Sequence, residues 1–105
     1  MTDPLVRLQL DWDGAGAVRV TIGGEIDLSN ADDLERELMT ALAAADAVTI
    51  DLRDVTYMDS QGVRLLHHLS TGLGPGTTLT VVAPDGTFAG GVLRLSRFPG
   101  LVDNA

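Results

Sequence analysis

The apolar residues of this chain change their spacing as they run, and that change constrains the fold more than any other feature. Val6, Leu8, Leu10 and Trp12 alternate with Arg7, Gln9 and Asp11, which predicts a strand with one buried face. "DGAG" at 13–16 supplies Asp-Gly turn chemistry, and Val18, Val20 and Ile22 resume the alternation. The two runs therefore predict an antiparallel hairpin. After "GGEID" the spacing becomes helical. Ser29 followed by Asp32 predicts a helix start with the Ser29 hydroxyl as cap, and Ala31, Leu34, Leu38, Ala41, Leu42 and Ala45 share one face.

"AVTIDL" at 47–52 is short and β-branched, and predicts a central strand. Beyond Ser60, Leu65, Leu66 and Leu69 form the stripe of a second helix that ends near "TGLGPG". "TTLTVVA" predicts another strand. Phe88, Val92 and Leu95 then fall at helical spacing, although Gly90 and Gly91 each weaken that helix by about 1 kcal/mol relative to alanine. The order β-β-α-β-α-β-α predicts one α/β domain over residues 1–105. Its sheet is mixed and four-stranded, an antiparallel N-terminal hairpin followed by parallel strands with right-handed helical crossovers. The loop before the second helix falls at the carboxyl end of the third strand, the edge where open α/β sheets carry their sites.

Composition narrows the function classes. A chain of 105 residues with 45% hydrophobic content can bury one small core. Seven basic residues against fifteen acidic ones give a charge of −8, which disfavours nucleic acid and anionic lipid as partners. There is no cysteine, so disulfides and thiolate metal sites are excluded, which permits without proving the cytoplasmic location expected for this chain. No apolar run is long enough to span a bilayer, and "MTDPLVRLQL" does not read as a signal peptide.

"YMDSQG" at 57–62 holds the candidate chemistry. Asp59 or Ser60 can serve simply as a helix cap. A nucleophile elbow requires glycine two residues to each side of the serine, and here Met58 occupies the upstream position. His67 lies two turns from Ser60, and adjacent histidines on one helix point apart, so neither a serine hydrolase nor a histidine metal pair fits well. "TGLGPG" lacks the Lys-Ser/Thr of a phosphate-binding loop. Asp27, Asp51, Asp54 and Asp59 make a conceivable magnesium site, but their spacing matches no metal loop, and no metal ligand is assigned.

"GGEIDLSNADDLERELM" followed by "AVTIDLRDVTYMDSQGVRLL" resembles the STAS family, in particular its small anti-sigma factor antagonists. The likeness continues through "GTTLTVVAP" to "VLRLSRFPGL" and covers nearly the whole chain. It implies that Ser60 is a regulatory phosphoacceptor. It also implies that Asp27, Asp59, Ser60, Gln61, Gly62 and Arg64 belong to the partner-binding region, with Gly62 letting the second helix start close to its neighbours. The implied partners are an anti-sigma factor that is also a serine kinase, and a serine phosphatase. The unmodified form binds the anti-sigma factor and frees a sigma factor, and phosphorylation ends the binding. No enzymatic activity and no cofactor of its own are implied, since ATP and magnesium belong to the kinase. Gln61 stands where many antagonists have a second Ser or Thr, and Arg64 where a Gly often stands. The same family also contains non-phosphorylated scaffolds and transporter accessory subunits, which often lack the acceptor serine.

Overall fold

A computed structural model describes residues 5–105. Strands β1 (Val6–Trp12) and β2 (Ala17–Ile26) form the expected hairpin, with Leu8 opposite Ile22 and Leu10 opposite Val20. The Asp13 carboxylate closes the turn by accepting from the N–H groups of Ala15 and Ala17 at 2.7 and 3.0 Å. The chain continues through α1 (Ala31–Ala41), β3 (Ala47–Met58), α2 (Ser60–Gly72), β4 (Thr78–Val82) and α3 (Phe88–Leu95) to β5 (Leu101–Val102). The sheet runs in the order β1-β2-β3-β4-β5, and every pair after the hairpin is parallel.

Among the described residues the sheet thus has five strands where four were expected. β5 is two residues long, too short to show any periodicity, and it exists because Val81 and Val82 pair with Leu101 and Val102. β3 is also longer than the expected 47–52. The pairing of β2 with β3 shifts register around Gly23 and Gly24, and this irregularity lets it continue to Ile26 beside Met58. Gly24 has φ +90, and a Cβ there would lie 2.1 Å from the Leu5 carbonyl oxygen, so the bulge requires glycine.

One face of the sheet carries the core. Val20, Ile22, Ile50, Leu52 and Val81 pack with Leu34 and Leu38 of α1, Leu65, Leu66 and Leu69 of α2, and Ala89 and Leu93 of α3. Three sequence expectations are corrected here. Ser29 does not cap α1: Asn30 occupies the cap position, without a side-chain cap bond, and Ser29 bonds to Asp27 instead. Ala41 is exposed, and Ala45 is buried but lies beyond the helix end. On α3 the buried face is Ala89, Gly90 and Leu93, while Phe88 and Leu95 are exposed. The core face of α3 is shifted by one position from the stripe expected, because Gly90 contributes contact without contributing hydrophobicity. A Cβ on Gly90 would lie 2.2 Å from the Pro84 carbonyl oxygen, so the glycine is what lets α3 lie against the end of β4.

The opposite sheet face is polar except for the buried Val82. Its row Thr21, Asp51 and Val82 lies beside Arg19 and Arg53. Asp51 is only 6% exposed, and it accepts hydrogen bonds at 2.7 Å from both the Arg19 and Arg53 side chains. Burial pushes its carboxyl up, but the side-chain and backbone hydrogen bonds of Arg53, joined by Arg19, outweigh burial and hold it well below the usual carboxylate range. The folded state therefore binds this proton more weakly than the unfolded chain. The stabilisation is fully present above the ordinary aspartate pKa of about 3.9 and fades as pH falls through the folded value. Asp51→Asn is expected to lower stability by about 1–3 kcal/mol at pH 7, below the range for fully buried pairs because both arginines are partly solvated. Urea unfolding at pH 7 and pH 3 should show the gap between variant and parent shrinking at the lower pH.

Candidate functional site

The extended pairing of β2 and β3 brings two chain turns to one edge. Asp27 follows the end of β2 and Asp59 follows the end of β3, with the Asp59 N–H bonded to the Ile26 carbonyl at 3.3 Å. Asp27 organises its own turn. Its carboxylate accepts from the Ser29 N–H and hydroxyl, and its carbonyl accepts from the Ala31 N–H at 2.9 Å. Asn30, although buried, is satisfied: it accepts from the Asp27 N–H at 3.1 Å and donates to the Glu25 carbonyl at 2.8 Å. The rim is thus built by short polar side chains bonding to nearby backbone, as Asx turns do.

Asp59 caps α2. Its backbone is extended, and its carboxylate accepts from the Gln61 N–H at 2.8 Å. Of the two cap candidates in the sequence, this selects Asp59. Ser60 is the first residue of the helix and is exposed, and its hydroxyl makes no hydrogen bond among the described residues. Its Oγ is therefore both accessible and uncommitted.

The remaining expected residues separate in depth. The Gln61 side-chain oxygen is buried without a hydrogen-bond partner. Gly62 is buried, and a Cβ there would lie 2.3 Å from Met58 Cγ, so it acts by allowing α2 to start against the end of β3. Arg64 lies one turn along α2, where it bonds Asp32 of α1 at 3.1 Å. Asp27, Asp59 and Ser60 share the rim, Gln61 and Gly62 lie beneath it, and Arg64 ties the two helices together.

Three rim residues escaped the sequence reading. Leu28 is 73% exposed, Tyr57 43% and Phe88 44%, and the Tyr57 and Phe88 rings lie 5.6 Å apart. Leu28 and Tyr57 line a shallow cleft with Asp27, Ser29 and Asp59. The signal for Phe88 was Thr87, whose hydroxyl caps α3 by accepting from the Gly90 N–H at 3.1 Å and so places Phe88 at the helix start instead of on the core stripe. Exposed large apolar groups gathered beside polar ones mark contact surfaces.

The arrangement offers little catalytic chemistry. His67 packs against Phe98 with ring centroids 4.8 Å apart, and His68 bonds Glu35 at 2.8 Å. His67 is seven residues along α2 from Ser60, about 10 Å at the helical rise, too far to take its proton. The four aspartates considered for magnesium are not gathered, because Asp51 is engaged by arginines on the polar sheet face. Among the described residues no group of three or more His, Asp or Glu side chains is placed to hold a metal ion. No helix among them is long and apolar enough to cross a membrane. A larger groove of about 860 Å³ runs between β1 and α1, lined by Val6, Leu8, Leu34 and Glu37, away from Ser60.

Comparison with known proteins adds independent observations. The family profile described as "Mlab, STAS domain" matches residues 8–103. No curated protein sequence matches the chain. The crystal structure of an anti-sigma factor antagonist from Mycobacterium paratuberculosis is similar, with 27% identity, a TM-score of 0.80, and coverage of 99% of this chain and 92% of that one. The anti-sigma factor antagonist SpoIIAA in its unphosphorylated form has 22% identity, a TM-score of 0.77, and coverage of 94% and 89%. The phosphorylated form of Bacillus SpoIIAA has 21% identity, a TM-score of 0.70, and coverage of 94% and 92%.

Proposed function

The chain belongs to the STAS domain family, and from that premise we propose that it is an anti-sigma factor antagonist whose binding is switched by phosphorylation of Ser60. One observation carries the reading. Because Asp59 takes the cap, the Ser60 hydroxyl is exposed and free on a rim that also presents Leu28, Tyr57 and Phe88. The unmodified rim docks an anti-sigma factor of the kinase type, with the apolar side chains supplying contact area and Asp27 and Asp59 the polar boundary. The kinase moves the γ-phosphoryl group of ATP to Ser60 Oγ. The bond to the leaving ADP breaks, and the hydroxyl proton passes to a base of the kinase.

The product carries about −1.5 to −2 charge where a neutral hydroxyl had packed. Its own helix tolerates it, since the N-terminus of α2 favours an anion by roughly 0.3–1 kcal/mol. At the interface the same charge opposes docking, and a serine phosphatase reverses the change. The chain itself supplies a surface and an acceptor, with no catalytic step and no cofactor, and it acts in the cytoplasm where kinase and sigma factor meet.

Intact-mass measurement tests this directly. Incubated with ATP and magnesium alone, the protein should keep its mass. With a cognate kinase-type anti-sigma factor it should gain one phosphoryl group, and Ser60→Ala should gain none. A protein that binds a stable partner through this rim but is never phosphorylated would instead be a STAS scaffold or transporter accessory subunit. Ester hydrolysis abolished by Ser60→Ala would turn the reading to an enzyme.

A further inference from the structure

The environment of Ser60 contains a feature that the switch alone does not use. All seven basic residues of the chain are arginines, and five are held by carboxylates away from the rim or at its edge: Arg19 and Arg53 by Asp51, Arg36 by Asp33, Arg94 by Asp103, and Arg64 by Asp32. Arg64 is the only one of them on α2, four residues after Ser60. Residues four apart on a helix are neighbours, about 5–6 Å between Cβ atoms, with an anion N-terminal to a cation in the favourable order. Arg64 is half exposed, and its partner Asp32 is more exposed still, so the existing bond between α1 and α2 is weakly held. A phosphate is the stronger acceptor for a guanidinium, with more charge and three oxygens.

We infer that Arg64 captures the phosphate when Ser60 is esterified and releases Asp32, so that modification at the rim also unties α1 from α2 at this point. The inference rests on the Ser60 reading above and deepens it. It names what the modified state gains: a cation within its own helix that compensates the charge opposed by Asp27 and Asp59. The other charged groups near this path are Asp32 and Glu35 on α1 and His68, which is already bonded to Glu35. Arg64 is thus a positioning residue for the phosphoserine, and the exchange couples the acceptor to the first helix.

The test uses full-length protein with phosphoserine installed at position 60 by genetic encoding, so that no kinase is involved. The second ionisation of the phosphate is followed by phosphorus NMR across pH 4 to 8. A bound guanidinium favours the dianion and lowers the midpoint. Arg64→Gln should raise it by about 0.3 pH unit or more, the equivalent of one helical ion pair strengthened by the double charge. Arg64→Lys should retain most of the lowering. Asp32→Asn should lower the midpoint further, because it frees Arg64. Equal midpoints in the parent and Arg64→Gln would overturn the inference. A kinase that ignores Ser60 would overturn the switch reading and leave this titration unaffected, so the two failures are separable.

Discussion

Ser60→Asp is expected to weaken binding to a cognate kinase-type anti-sigma factor at least tenfold, with the domain still folded. Ser60→Ala should bind as the parent does. The two halves of this expectation have different causes. Within the chain the added carboxylate stands at the first position of α2, which is exposed and already capped by Asp59. Acids are favoured there, and Arg64 stands four residues on to pair with it. Across an interface the same carboxylate loses water without gaining a partner, beside Asp27 and Asp59 that repel it. Leaving a charge buried and unpaired at an interface costs about 2–5 kcal/mol, and each 1.4 kcal/mol is about tenfold in affinity. Titration calorimetry with purified partner, set beside thermal unfolding of each variant, separates the effects. Indistinguishable affinities for the Asp and Ala variants would remove Ser60 from the interface. Loss of folding in both would make the residue a structural one.

The largest stability effect is expected at Gly90, and its neighbour is expected to move the other way. A Cβ at position 90 would meet the Pro84 carbonyl oxygen at 2.2 Å, the Ala83 carbonyl oxygen at 2.9 Å and the Arg94 guanidinium at 2.7 Å. The arginine can move, but the two carbonyls are backbone at the end of β4. α3 must therefore lift, and Leu93, fully buried, loses contact with the core. Gly90→Ala should cost about 3 kcal/mol, the upper end for overpacking, and lower the Tm by roughly 12–24 °C. At Gly91 a Cβ would meet nothing within 4 Å. Gly91→Ala should raise stability by up to about 1 kcal/mol through helix propensity alone. Calorimetric scans of the two single variants give the comparison. A Gly90→Ala protein as stable as the parent would mean that the contact of α3 with β4 is looser than these distances require. The consequence reaches the rim, because Phe88 stands at the start of the same helix.

Local pattern determined the hairpin, the three helices, the parallel run of β2, β3 and β4, and the placing of Ser60 at the carboxyl end of β3. The hairpin and the helices follow from periodicity and turn chemistry within windows of about ten residues, and the parallel pairing follows from the order of those elements, because a helical crossover returns the chain in the same direction. Only tertiary structure decided the rest, for three physical reasons. A strand of two residues has no period, so β5 exists only through its pairing with β4. A glycine has no hydropathy to place it on a face, so Gly90 hid the true core stripe of α3, and the apolar spacing followed Phe88, Val92 and Leu95 instead. Two adjacent side chains with equal capping ability cannot be ranked without hydrogen-bond geometry, and it is the bond from the Gln61 N–H to Asp59 that leaves Ser60 free. The rim itself is a long-range object. Tyr57 and Phe88 are thirty-one positions apart in the chain and meet at 5.6 Å only because β3 and α3 pack on one another.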